Sequence, residues 1–179
     1  NLVKDSLSGS KSSDCVLCST RFLNGTVLDA YTPLANATRL NTSNYNPNGG
    51  TPLYDQVVVT LGQVLAKSKA LEDSGVPVRT VTVFTSDGAD EHSPKSRGGM
   101  GKTAADCASI IGDMLRQETH LVFFVGIDDG HTNFRKIAQD MGIPAEFVLT
   151  PGNSPSEIRA AMMVVSQSAV RASQGGAGF

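Results

Sequence analysis

Apolar and polar positions change rhythm several times along the chain, and each change predicts an element. Leu2, Val3 and Leu7 fall on one helical face within residues 1–10. From 14 to 31, two apolar runs flank Asn24-Gly25, the dipeptide that best tolerates the positive φ angles of a tight turn, which predicts an antiparallel hairpin. Residues 33–40 are expected as a short helix. The Asn, Ser, Pro and Gly stretch 41–50 has too little apolar surface to pack, so it is expected as a loop. At Thr51-Pro52 a hydroxyl residue suited to an N-cap precedes a proline suited to the first helical position. Leu53, Val57, Leu61, Val64 and Leu71 then recur at helical spacing through 52–72, before Gly75 and Pro77 close the run. Val78, Val81, Val83 and Phe84 read as a strand ending in Thr85-Ser86-Asp87-Gly88. A helix over 103–118, a fully apolar strand over 121–127, a helix over 131–141, a strand over 146–149 and a helix over 155–170 follow, with 174–179 as a frayed tail.

Strands apolar on both faces, alternating with helices, belong to a parallel sheet covered on each side. The expected fold class is α/β, a three-layer sandwich whose mostly parallel central sheet carries an antiparallel hairpin at one edge. At 179 residues the chain is long enough for one sizeable core, so 1–173 is expected as one domain. With 15 Lys and Arg against 17 Asp and Glu, it lacks the basic excess that nucleic-acid binders use, and its longest apolar runs are far short of a bilayer span.

Three cysteines make no zinc set. Cys15 and Cys18 fall in a predicted strand, where residues three apart face opposite ways, and Cys107 completes nothing; buried free thiols and a reducing, cytoplasmic setting are expected. The chain opens on Asn1 with no basic and then apolar leader, which reads as a start removed or as part of something longer. His120 has no evident partner in sequence, His92 beside Asp90 and Glu91 reads as a solvated loop charge, and Asp128-Asp129-Gly130-His131 reads as a turn whose acids suit the next helix's N-terminus. No nucleophile, base and orienter set stands out.

Chemistry is expected at the carboxyl edge of the sheet, where strand-to-helix loops converge. Thr51 and Asp87 fall there. A hydroxyl and a carboxylate are hard donors suited to Mg²⁺ or Mn²⁺, while the plainer assignment gives Thr51 a cap and Asp87 a turn.

Two stretches tip that balance. Tyr45-x-Pro47-x-Gly49-Gly50-Thr51-Pro52-Leu53-Tyr54-Asp55, with Val83-Phe84-Thr85-Ser86-Asp87-Gly88-x-Asp90-x-x-Ser93 and Phe124-Val125-Gly126-Ile127, resembles the von Willebrand factor type A domain family, most closely its intracellular bacterial branch. The resemblance implies a Rossmann-like sandwich and a non-enzymatic module that binds a protein partner. It also implies a metal-ion-dependent adhesion site in which a partner's acidic side chain completes the coordination of Mg²⁺ or Mn²⁺. Thr51 and Asp87 match two of that site's elements. The family's first element, D-x-S-x-S after a first strand, has no match: Asp5 to Ser10 is spaced one residue too long and sits at the end of a helix. The resemblance thus leaves the central strand missing and the metal site incomplete. The alternative expectation is a phosphate-handling or metal-assisted hydrolase using Asp87 and Gly98-Gly99-Met100-Gly101-Lys102-Thr103, whose P-loop pattern lacks a Gly at Ser96.

Overall fold

A computed structural model describes residues 1–10, 13–46 and 49–174. Its elements are α1 (Leu2–Ser8), β1 (Leu17–Arg21), β2 (Val27–Pro33), α2 (Leu53–Glu72), β3 (Thr80–Ser86), α3 (Ala104–Arg116), β4 (His120–Gly126), α4 (Phe134–Asp140), β5 (Val148–Leu149) and α5 (Pro155–Ser173). The fold is α/β, as expected. Strands β3, β4 and β5 form a parallel sheet in that order, in register from Thr80 opposite His120 to Ser86 opposite Gly126.

Alternation on β4 explains the layers. Val122 and Phe124 point to one face, where Leu53, Val57 and Leu61 of α2, Ile111 and Met114 of α3, and Phe134 and Ala138 of α4 form the larger core. Leu121, Phe123 and Val125 point to the other, against Ala161 and Val165 of α5 and Val3 of α1. Each β4 residue is buried, which is why this strand shows no polar alternation in sequence. Gly126 lets the Phe134 ring close over the strand end, since a Cβ there would stand 2.3 Å from that ring.

The hairpin forms, but as its own two-stranded sheet. Val16 and Cys18 pack with Leu34 on Leu7 of α1 and Ala169 of α5. On the opposite side Arg21 Nη2 donates to Gln63 Oε1 of α2, and Lys67 Nζ lies 5.9 Å over the Tyr31 ring. The hairpin therefore occupies the same layer as the parallel sheet, between the same helices, without sharing a ladder with it. Among the described residues, β3 is left with a neighbour on one edge only.

Several local expectations are corrected. Residues 33–40 give just one 3₁₀ turn, Leu34–Asn36, because Asp29 draws the chain out of helix: its carboxylate accepts the Thr38 N–H and hydroxyl. Cys15 lies exposed in a 3₁₀ turn, Cys18 is half-buried on β1, and Cys107 alone is fully buried; desolvation pushes its thiol up to about 12, leaving it protonated and inert. His120 is partnered, by Thr80 Oγ1 at 2.8 Å and Gln117 Oε1 at 3.2 Å. Asn133, not the preceding acids, caps α4, while Asp129 holds the turn before it by accepting from His131 N and from the Thr132 N–H and hydroxyl. Those bonds hold the Asp129 carboxyl down at about 2. Pro47 and the tail residues 175–179 lie outside the described residues. No helix among the described residues is long and apolar enough to cross a membrane.

Candidate functional site

The carboxyl ends of the three parallel strands are tied together: Ile127 N donates to Ser86 O at 2.8 Å, and Asp128 N to Pro151 O at 2.9 Å. Asp87 follows β3 directly and is exposed at this edge. The start of α2 is brought to the same place by the loop that Asp87 opens.

Helix α2 begins at Leu53, and the expected cap is wrong. Pro52 occupies the cap position with ψ 64°, and no side chain of its own segment caps the helix. Its first-turn N–H groups are met from across the fold. Tyr54 N donates to Asp90 Oδ1 at 3.1 Å, Asp55 N donates to Ser93 Oγ at 3.0 Å, and Ser93 Oγ–H donates in turn to Asp90 Oδ1 at 2.5 Å. A carboxylate at a helix N-terminus also meets the positive end of the helix dipole. Thr51 takes part through its backbone: its carbonyl accepts from Glu91 N at 3.0 Å and His92 N at 3.3 Å, and its N–H donates to His92 Nδ1 at 3.0 Å. His92 is thus a packed structural residue and not a solvated charge. Gly50 permits this, since a Cβ there would stand 2.5 Å from the imidazole ring.

Asp55 closes the clasp. Its carboxylate is buried, 2% exposed, and accepts from Met100 N at 2.6 Å and Lys102 N at 3.0 Å. With Gly101 N on Ser93 O, Gly99 N on Pro94 O, Gly98 N on Lys95 O and Thr103 N on Asp106 Oδ2, each backbone N–H from Gly98 to Thr103 has an internal acceptor. The backbone N–H groups on which the phosphate-handling alternative draws are thus engaged within the chain. A phosphate cradle works by offering unpaired N–H groups, and here a carboxylate of the same chain already occupies it. Thr103 serves as the N-cap of α3 in a capping box with Asp106, whose carboxyl those bonds hold below its ordinary value.

The two residues singled out as ligands contrast with this network. Among the described residues, neither the Thr51 hydroxyl nor the Asp87 carboxylate makes a hydrogen bond or ion pair, although Asp55, Asp90, His92 and Ser93 around them all do. The helix-cap assignment for Thr51 therefore fails, whereas Asp87 does open the bend after β3, without its side chain holding it. The turn after β3 is held by Ser86, whose hydroxyl donates to Gly88 O at 2.7 Å. Thr51 and Asp87 are hard oxygen donors of the kind Mg²⁺ and Mn²⁺ take, but they are two where such a cation needs about six. No cluster of three or more His, Cys, Asp or Glu with metal-binding geometry exists among the described residues.

Asp55, Asp90, His92 and Ser93 escaped a reading for function because each finds its partner 36 to 47 residues away. The one local signal was a buried-looking acid in the first turn of an apolar helix, which demands a donor without saying which. No family model matches the chain, and neither a curated protein nor a solved structure does.

Proposed function

We propose that this chain is a non-enzymatic protein-binding module related to von Willebrand factor type A domains, whose working surface is the carboxyl edge around Thr51 and Asp87. The observation that carries the reading is the division of labour among the motif residues. Asp55, Asp90, His92 and Ser93 are consumed in locking two loops to the start of α2, and the two remaining oxygen donors are left with no internal task. A hydroxyl and a carboxylate presented at a sheet edge, with nothing in the chain to bond, are available to a ligand outside it.

In the metal-dependent form of this function Thr51 and Asp87 supply part of the coordination of Mg²⁺ or Mn²⁺. The ion's contribution is a Lewis-acidic position for a partner's Asp or Glu. Further donors have to come from beyond these two. One feature of the fold agrees with a missing contributor: β3's open edge stands between helices that also cover the hairpin, in the place where the resemblance puts a first strand and its D-x-S-x-S.

Calorimetric titration with Mn²⁺ tests the reading. Saturable heat is expected that Asp87→Ala abolishes and that Asp128→Ala, a change at the same edge outside the motif, leaves in place. No heat, or heat that both changes remove alike, argues against a metal held at Asp87.

A further inference from the structure

Beside the clasp, and distinct from the Thr51 and Asp87 side chains, a pocket of about 360 Å³ opens where the hairpin turn meets α2 and the 92–100 loop. Its volume is in the range of small-ligand sites. The polar groups on its wall are unevenly satisfied. Asp55 lines it but turns both oxygens to the N–H groups of Met100 and Lys102. The Gly98, Gly99 and Met100 N–H groups are likewise engaged.

Three groups remain. Arg97 carries a guanidinium with no ion pair among the described residues. His92 accepts from Thr51 N at Nδ1, which in the neutral ring places its proton on Nε2 as a donor with no partner among the described residues. The Gln56 side-chain oxygen is buried without any hydrogen bond, a costly state that a ligand N–H would relieve. Two donors, one of them cationic, together with one orphaned acceptor define the complement: an anionic group flanked by an N–H. Arg97's planar fork suits a carboxylate held by two parallel bonds.

We propose that this pocket binds a peptide carboxylate together with its neighbouring amide N–H, the carboxylate on Arg97 and His92 and the N–H on Gln56, without a metal ion. The proposal deepens the protein-binding reading and rests on it, but uses a separate site and no cation. Met100, on the pocket wall and 48% exposed, supplies apolar contact, a residue type enriched where proteins meet.

The test is a titration of the ¹⁵N-labelled chain in EDTA, followed by the amides of Gly98, Gly99 and Met100 and the His92 ring. Three probes are compared: N-acetylglycine, a chain-end carboxylate; N-acetylaspartate N-methylamide, an internal acid; and acetate, which has no N–H. Saturable shifts from either peptide probe, with acetate at least tenfold weaker, support the proposal, and the tighter probe tells a chain end from an internal side chain. Arg97→Gln, on the surface, is expected to weaken binding at least tenfold, and Gln56→Leu to erase the preference over acetate. Two results overturn the pocket. One is the absence of saturable shifts in EDTA. The other is shifts that appear only with Mg²⁺ and vanish in Asp87→Ala, which assign the acid to the metal site and leave the protein-binding reading standing.

Discussion

Asp55 and Thr51 stand four residues apart and do opposite things for the fold. Asp55 is a buried charge whose two oxygens receive the N–H groups of Met100 and Lys102. Removing it in Asp55→Ala leaves both donors unpaired and is expected to cost about 3 kcal/mol, read from urea unfolding. Thr51→Ala is expected to cost less than about 0.5 kcal/mol, since the hydroxyl bonds to nothing; a cost near 1 kcal/mol would instead be the signature of a helix cap. The pair separates support from site by stability alone. Sequence spacing placed Thr51 correctly at the start of α2 but gave it the cap's role, because Thr before Pro is a strong local signal. The true caps, Asp90 and Ser93, reach across from another loop, and propensity carries no information about such pairs. Glycines repeat the lesson. Gly99 has no room for a methyl group, as a Cβ there would stand 2.1 Å from Ser93 O, yet in sequence it looks like a flexible loop residue.

Among elements, β3 and β4 are of equal length but differ in pairing. β4 is hydrogen-bonded on both sides, to β3 and β5, whereas β3, among the described residues, has β4 alone. Amide exchange is therefore expected to be at least about tenfold faster on β3 than at the centre of β4, because an edge strand opens by breaking one ladder where a central strand must break two. Equal protection would mean that β3's other edge is covered in solution. The strands and long helices were legible from apolar rhythm, and α2, α3, β3, β4 and α5 stand within about three residues of expectation. Separation of the hairpin from the parallel sheet was not, since no local pattern records which strand lies beside which. The short helix over 33–40 failed for a related reason: Asp29, on the preceding strand, competes for Thr38.

For the molecule as a whole, one pH-dependent contribution to stability comes from keeping His120 neutral. Burial against Thr80 and Gln117 holds its imidazole below the ordinary value of 6.5, with Glu72 opposing more weakly. The unfolded chain then binds a proton that the folded chain refuses, so the contribution is present in full above the unfolded value and is lost as pH falls through the depressed folded one. Urea midpoints are expected to drop between pH 7.5 and 5.5, and to drop less in His120→Gln; an unchanged drop would assign the pH sensitivity elsewhere. The same large-scale view sets the charge of the carboxyl edge. Asp87, Asp128 and Asp129 stand exposed along the strand ends, while Arg97 and His92 line the pocket beyond the clasp. A cation and a carboxylate are thus directed to adjacent but different parts of one surface.

The most direct test of that surface is paramagnetic broadening by Mn²⁺ at substoichiometric amounts on the ¹⁵N-labelled chain, read residue by residue. The account predicts selective loss of the Thr51, Asp87 and Gly88 amide signals, reversed by EDTA and absent in Asp87→Ala. Broadening centred on Asp128 and Asp129 with Thr51 untouched, or spread evenly over the acidic surface, would contradict it.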